Sequence, residues 1–275
     1  MLHRATTSGR LVDVVKQHLA VVAIDRVGPL IAEGAITVDG AIGKINDLVA
    51  AGAELSATGL GELLVPEDVA LVIHFEDDDL VIVDKPAAMH VHPLGEYRRG
   101  TLLNALLWHA GARPDQPWAA WRPRPVHRLD RGASGLIAIA KHAAVHDRLR
   151  GQLEDHSMHR RYRATVHGRV AGDAGTIEQP LGRDPTNDYR RAIVVGGQPA
   201  ITHYRVVERT PTHTVVELEL VTGRTHQIRA HLASMGHPIV GDVLYGAVLG
   251  TTDTIELRAI ELQLNHRDRR LCCTA

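Results

Sequence analysis

The sequence predicts an α+β fold, with a mixed, largely antiparallel sheet preceded by a small helix-helix-hairpin module. Strand and helix patterns mix without the regular βαβ period that builds a parallel sheet. The stretch HTVVELELVTG alternates, placing Val216, Leu218 and Leu220 on one face, as expected of a strand with one buried side. The first sixty or so residues form a separate pattern of two short helices followed by a tight turn between strands.

Taken in order, GRLVDVVKQHLA repeats Leu11, Val14, Val15 and Leu19 at helical spacing, and DRVGPLIAEG supplies a second short helix that Gly34 ends. AITVDGAI reads as strand, Asp-Gly turn, strand. TGLGELLVPED is a glycine-rich linker. Beyond it, VALVIHFEDDDLVIVDKP gives two strands around an acidic turn, TLLNALLWHA a helix, GLIAIA a buried strand, HAAVHDRLRGQLEDH a helix and RYRATVHGRV a strand. Thr225 reads as the cap of a later helix. No internal repeat or low-complexity tract interrupts this order.

The 275 residues are 44% hydrophobic but only 3% aromatic, so the core must be built from Val, Leu, Ile and Ala. Cys272 and Cys273 are adjacent, poor geometry for a mutual bridge, and no other cysteine exists to pair with them, which fits a reducing compartment. Neither an apolar leader core nor a run of membrane-span length is present, so a cytoplasmic protein without membrane partners is expected. The net charge of -1 hides an uneven distribution: Lys85 to Arg169 carries 15 Lys/Arg against 6 Asp/Glu. Such a segment offers a basic face to a polyanion.

One carboxylate stands out. In RPVHRLDRGASGLIAIAKHAAVHDRL, Asp130 sits between Arg128 and Arg131, with Pro123 and Pro125 before it and Gly132 and Gly135 after it. Tight turns of that kind aim a side chain. VDKPAAMHVHP (Val83 to Pro93), HRLDRGASGL (His127 to Leu136), RRYRATVHG (Arg160 to Gly168) and LVTGRTHQIRAHLASMGHPIVGDVLYG (Leu220 to Gly246) occur in the order and approximate spacing of the RluA-type pseudouridine synthases. The N-terminal module, over residues 9 to 56, resembles the alpha-L RNA-binding domain that some of these enzymes carry. The resemblance rests on Arg10-Leu11, Asp13, Arg26, Leu30-Ile31, Gly34, Ile36, Val38-Asp39-Gly40 and Lys44. It departs from that family in being acidic on balance.

The resemblance implies the pseudouridine synthase catalytic fold over 67–275, an alpha-L RNA-binding-like domain over 1–60, and isomerisation of uridine to pseudouridine in structured RNA. Large-subunit ribosomal RNA is the expected target and transfer RNA the alternative. It implies Asp130 as the catalytic carboxylate and Arg229 as its paired cation, offsetting the cost of burying that charge. It further implies Tyr162 stacking on the uracil, Ile228 packing on the base, and Arg128 helping to hold the nucleotide out of its stack. No cofactor is expected, because the same atoms leave and return, and the protein is expected to act as a monomer. Ala133 replaces the family's usual Thr, and Ala88 stands where Gly is common.

Other readings are weaker. Among the 18 histidines, His90, His92 and His127 invite a metal site, yet there is no HExxH, no Cys-x-x-Cys and no three spaced ligands with an acid. Ser134 is not in a G-x-S-x-G elbow, and Lys85 before Pro86 reads as shaping the pocket rim. A glycosidase would usually want paired carboxylates. A noncatalytic RNA-binding protein that keeps the synthase fold, acting in ribosome assembly, is the main rival from another class.

Overall fold

Leu11, Val14 and Val15 share the buried face of an α-helix, Leu11–His18, in the computed structural model, which describes residues 2–61, 63–95, 97–247 and 254–275. A 3-10 turn, Ile24–Arg26, runs into a second helix, Val27–Ala32, and Gly34 follows with φ +76°. The hairpin strands Ile36–Val38 and Ala41–Ile42 are joined by Asp39 and Gly40, both at positive φ. That is the backbone pattern an Asp-Gly turn favours, because its twist matches the strands it joins. Leu2–Arg4 and Glu54–Ala57 complete a four-stranded sheet.

The chain divides into two compact units. One is formed by the residues through Leu71 together with His90–Arg124 and Ala140–Val145. Its core is made of Leu11, Val15, Leu19, Leu30, Ile36 and Leu55. Arg122 is buried there, its guanidinium donating to the carbonyls of Lys16, Leu19 and Val22, where the first helix ends. A cation at a helix C-terminus satisfies carbonyls that the helix itself cannot. Burial nevertheless lowers the pKa of Arg122 to about 10, so it stays charged at neutral pH. The same unit holds the helix Leu102–His109, opened by a capping box between Thr101 and Asn104.

The second unit, Val72–Met89, Pro125–Ile139 and His146–Ala275, is organised by a ten-stranded sheet. Its main path runs Ala174–Glu178, Ile201–Arg209, His213–Leu220, His159–His167, Leu257–His266, Ser134–Ala140, Leu80–Lys85 and Val72–Glu76. Neighbours along the path from Ala174–Glu178 to Leu257–His266 pair antiparallel, as do Leu80–Lys85 and Val72–Glu76, while Ser134 and Gly135 make a parallel contact with Arg258 and Ala259. Leu80–Lys85 and Ser134–Ala140 are nearly continuous apolar runs and are buried along their length. His159–His167 alternates instead, burying Arg160, Tyr162, Ala164 and Val166 on one side. Two packing regimes thus meet in one sheet, covered strands and half-covered ones.

Several of these strands have no counterpart in the sequence reading: Ala174–Glu178, Ile201–Arg209, Leu257–His266, Arg269–Thr274 and the separate hairpin Leu181–Asp184 with Asn187–Ile193. The helix after Thr225 begins later than expected. Gln227–Ser234 is capped by His226, which takes a left-handed backbone (φ 56°), and no side chain caps it. Thr225 therefore does not act as the cap. The side chain of Gln227 supplies the local order, accepting from the Thr222 hydroxyl and the Arg224 amide through Oε1.

Candidate active site

Asp130 lies in the turn between Pro125 and the strand Ser134–Ala140, and two features hold that turn. Gly135, at φ +108°, lets the strand approach Ala259 so closely that a Cβ would come within 2.2 Å of the Ala259 carbonyl oxygen. Lys85, fully buried at the end of its strand, reaches the carbonyls of Pro86, Met89, Arg131 and Ala133 with its ammonium. Burial pushes the pKa of Lys85 down to about 8, opposed by the charges of Asp130 and Asp84, so the cation persists at neutral pH. Its N–H groups tie the residues on both sides of Gly132 to the turn at 86–89, where Ala88 stands at φ 63°, a conformation that normally favours glycine. The lysine is thus a brace for the Asp130 loop.

Arg229 completes the arrangement from the helix Gln227–Ser234. Its Nη1 donates to Asp130 Oδ2 at 3.2 Å, while Nε and Nη2 make a two-pronged contact with Asp242 at 2.7 and 2.8 Å. Asp242 is 2% exposed and follows Gly241, whose φ of +85° puts the chain within 2.6 Å of the Thr254 carbonyl, measured from a would-be Cβ. Burial opposes the guanidinium's charge, but the Asp242 hydrogen bonds and the two carboxylates outweigh it and raise the pKa above the ordinary value. Asp242 therefore fixes the plane of Arg229, and the remaining prong is aimed at Asp130.

Asp130, Arg128, Tyr162, Ile228 and Arg229 all line one pocket of about 60 Å³. Its apolar wall comes from Leu129, Leu220 and Leu257. A register shift between Arg161 and Tyr162 marks a bulge in the strand, and Tyr162, 4% exposed, projects from it. Burial, helped by the negative charge of Asp130, raises the Tyr162 pKa, so the phenol remains neutral. Arg128 is exposed at the pocket rim.

Three residues near the carboxylate carried no role in the sequence reading. Asp242 is one. His226 places Nε2 3.9 Å from Asp130 Oδ1, and its Nδ1 lies 3.1 Å from the Tyr245 hydroxyl. Burial lowers the His226 pKa, leaving the ring neutral at pH 7. Tyr245, pushed by burial to about 12, packs under the Arg229 guanidinium at 4.9 Å and donates to the Arg191 carbonyl. The stretch GDVLYG contains both Asp242 and Tyr245, but nothing in its pattern says that either points inward.

The basic middle segment is not one free surface. Arg161 pairs with Glu261, Arg163 with Glu217, and Arg160 is 7% exposed. Arg113 stacks on Trp108 at 3.9 Å. His127 accepts from the Ala138 amide, and burial drives its pKa down to about 3, with the Arg160 charge acting in the same direction. No group of three or more His, Cys, Asp or Glu poised for a metal occurs among the described residues.

Residues 79–234 match the family described as RNA pseudouridylate synthase. Ribosomal large subunit pseudouridine synthase D of Pseudomonas aeruginosa is 42% identical over 225 residues, covering 80% of this chain and 68% of that protein. The protein of the same name from Neisseria meningitidis serogroup B is 40% identical over 243 residues, covering 86% of this chain and 64% of that protein. The solved structure of Human RNA Pseudouridylate Synthase Domain Containing 1 shares the fold, with TM-score 0.63, 24% identity and coverage of 76% and 84%. This chain belongs to the RNA pseudouridylate synthase family, whose members isomerise uridine to pseudouridine. It spans about two thirds of the length of those two bacterial relatives.

Proposed function

We propose that this chain isomerises uridine to pseudouridine in structured RNA, that large-subunit ribosomal RNA is its target, and that Asp130 is the catalytic carboxylate. The observation that carries the reading is the Asp130–Arg229–Asp242 chain, which holds one carboxylate oxygen in a small, mostly apolar pocket. A carboxylate so placed can act at the sugar carbon or add to the uracil ring, and either course lets the base detach, turn and rejoin through a ring carbon. Nothing is oxidised or reduced, and no cofactor enters the balance.

In this reading Tyr162 stacks on the uracil and Ile228 packs on the base, both lining the pocket that holds Asp130. Arg128 at the rim helps hold the nucleotide outside its stack, an extrusion that costs a few kcal/mol. The ribosomal target is supported by the names of the relatives. Residues 1–60 act as an alpha-L-like RNA-binding module ahead of a catalytic domain over 67–275, and the protein works as a cytoplasmic monomer. Among the described residues no helix is long and apolar enough to cross a membrane.

Mapping pseudouridines across total cellular RNA with and without this protein tests the function directly. The expected result is loss of one or a few sites in large-subunit ribosomal RNA. Loss confined to transfer RNA would move the target. An unchanged map, together with tight binding to an RNA, would replace the enzyme by a noncatalytic RNA-binding protein.

A further inference from the structure

The hairpin Leu181–Asp184 with Asn187–Ile193 sets Arg183 directly opposite Arg191 in antiparallel register. Like charges at opposed cross-strand positions destabilise a hairpin, so sequences normally avoid the arrangement or place a carboxylate beside it. Among the described residues no carboxylate pairs with these two. Asp184, the buried acid of the same hairpin, is taken by Arg190 and by the amide and hydroxyl of Thr186. Arg183 and Arg191 make no ion pair with any described residue.

A third arginine joins them. Arg183, Arg191 and Arg224 line a cavity of about 330 Å³ with Gln198, Thr225 and the backbone of Gly196 and Gly197, and no Asp or Glu lies in its wall among the described residues. Arg224 is also a wall of the pocket that holds Asp130. Its Nε is steadied by the Pro199 carbonyl. Three cations around one cavity, with no carboxylate in its wall among the described residues, make a site suited to an anion.

We propose that this cavity is a phosphate subsite for the RNA backbone next to the uridine held at Asp130, a proposal that rests on the functional reading above. Guanidinium groups match phosphate geometry through paired N–H donors, and interactions of this kind fix a strand's position without reading its sequence. The shared Arg224 wall places the site beside the base pocket, where the adjoining backbone of an extruded nucleotide must run. Tyr189 on the same hairpin is 84% exposed, in a chain with few aromatics, and offers a stacking face for a neighbouring base. The hairpin thus carries both components of single-strand recognition, cations and a ring.

The test is binding of a uridine-containing RNA stem-loop and of oligouridylate across a salt series, comparing the wild type with an Arg183→Ala/Arg191→Ala double variant. The double variant should bind at least tenfold more weakly, with a log–log salt slope shallower by about 0.7 for each phosphate that is no longer neutralised. Inorganic phosphate should compete with RNA on the wild type and much less on the variant. Where turnover is measurable, KM should rise while kcat at saturating RNA stays near wild type. Thermal unfolding of the variant should be unchanged or slightly improved, because a repulsive pair has been removed. Unchanged affinity and slope would overturn the proposal. So would competition by phosphate without any change in the RNA slope, which would mean a site for free anions only. A loss of affinity with the slope unchanged and Tm lowered would make the arginines structural and also overturn it. The binding arms need no chemistry, so a wild type that binds RNA but forms no pseudouridine defeats the functional reading and leaves this one standing.

Discussion

Arginine is used in two opposite ways within the second unit. Around Glu217, on the strand His213–Leu220, Arg163 and Arg205 each donate to the carboxylate at 2.8 Å and Arg161 approaches to 3.9 Å. On the hairpin at 181–193, Arg183 and Arg191 meet across the strands with no acid paired to either among the described residues. In the first arrangement the cations are engaged by carboxylates, although three arginines outnumber Glu217 and Glu261, and around Glu217 they tie three strands together; in the second no such engagement occurs among the described residues. Local density of arginine in the sequence therefore says little about where a polyanion binds. Cross-strand register decides whether a cation has already been satisfied.

Breaking a carboxylate-engaged arginine should have the largest effect where the pair is most buried. Asp242→Asn removes the two-pronged anchor of Arg229 and leaves a buried cation with one partner. A loss of about 3–5 kcal/mol of stability is expected in denaturant unfolding, with turnover down by about a hundredfold once Arg229 no longer orients Asp130. Lys85→Met strips the buried donors from four carbonyls, and calorimetry should register a loss of about 2–3 kcal/mol. Activity should fall with it, because the Asp130 loop loses its brace.

Glu217→Gln is a milder perturbation of the same kind, expected to cost about 1 kcal/mol. The hydrogen bond from Arg163, chiefly, depresses the Glu217 pKa below its ordinary 4.5. A depressed carboxylate stabilises the fold above its unfolded value, and that contribution disappears as pH falls through the folded value. Wild-type stability should therefore decline below pH 4.5 more steeply than that of the Gln variant, as a pH series of unfolding curves would reveal. Arg183→Ala alone should be the smallest effect on stability, within a few tenths of a kcal/mol and of stabilising sign. A clear destabilisation would place the hairpin arginines with the Glu217 group after all.

Much of the pocket was legible in the sequence because its parts lie on compact motifs. Asp130 was flanked by turn-forming residues, and Arg128, Tyr162, Ile228 and Arg229 sat on stretches with a family pattern; the fold brings all five to one cavity. Asp242, His226 and Tyr245 were present in those same stretches, but inward direction is set by Gly241 and by the left-handed backbone at His226, neither of which a residue pattern announces. Ile201–Arg209 escaped notice because hydrophobicity does not follow its alternating exposure: Thr202 and Tyr204 lie on the covered side, while Val207 is on the exposed side with His203 and Arg205. The charge excess of residues 85 to 169 was visible, but which of its cations already have partners was not. Arg122, Arg161 and Arg163 are committed to carbonyls or carboxylates contributed by distant parts of the chain.

Asp130→Asn keeps the side chain's size and most of its hydrogen-bonding shape while removing the charge that Arg229 holds in place. Assayed on a uridine-containing RNA that the wild type modifies, the variant should fold, bind that RNA with near-normal affinity and form no detectable pseudouridine, a loss of several orders of magnitude in rate. Wild-type-like turnover in the Asn variant would contradict the assignment, reducing Asp130 to the structural partner of an arginine.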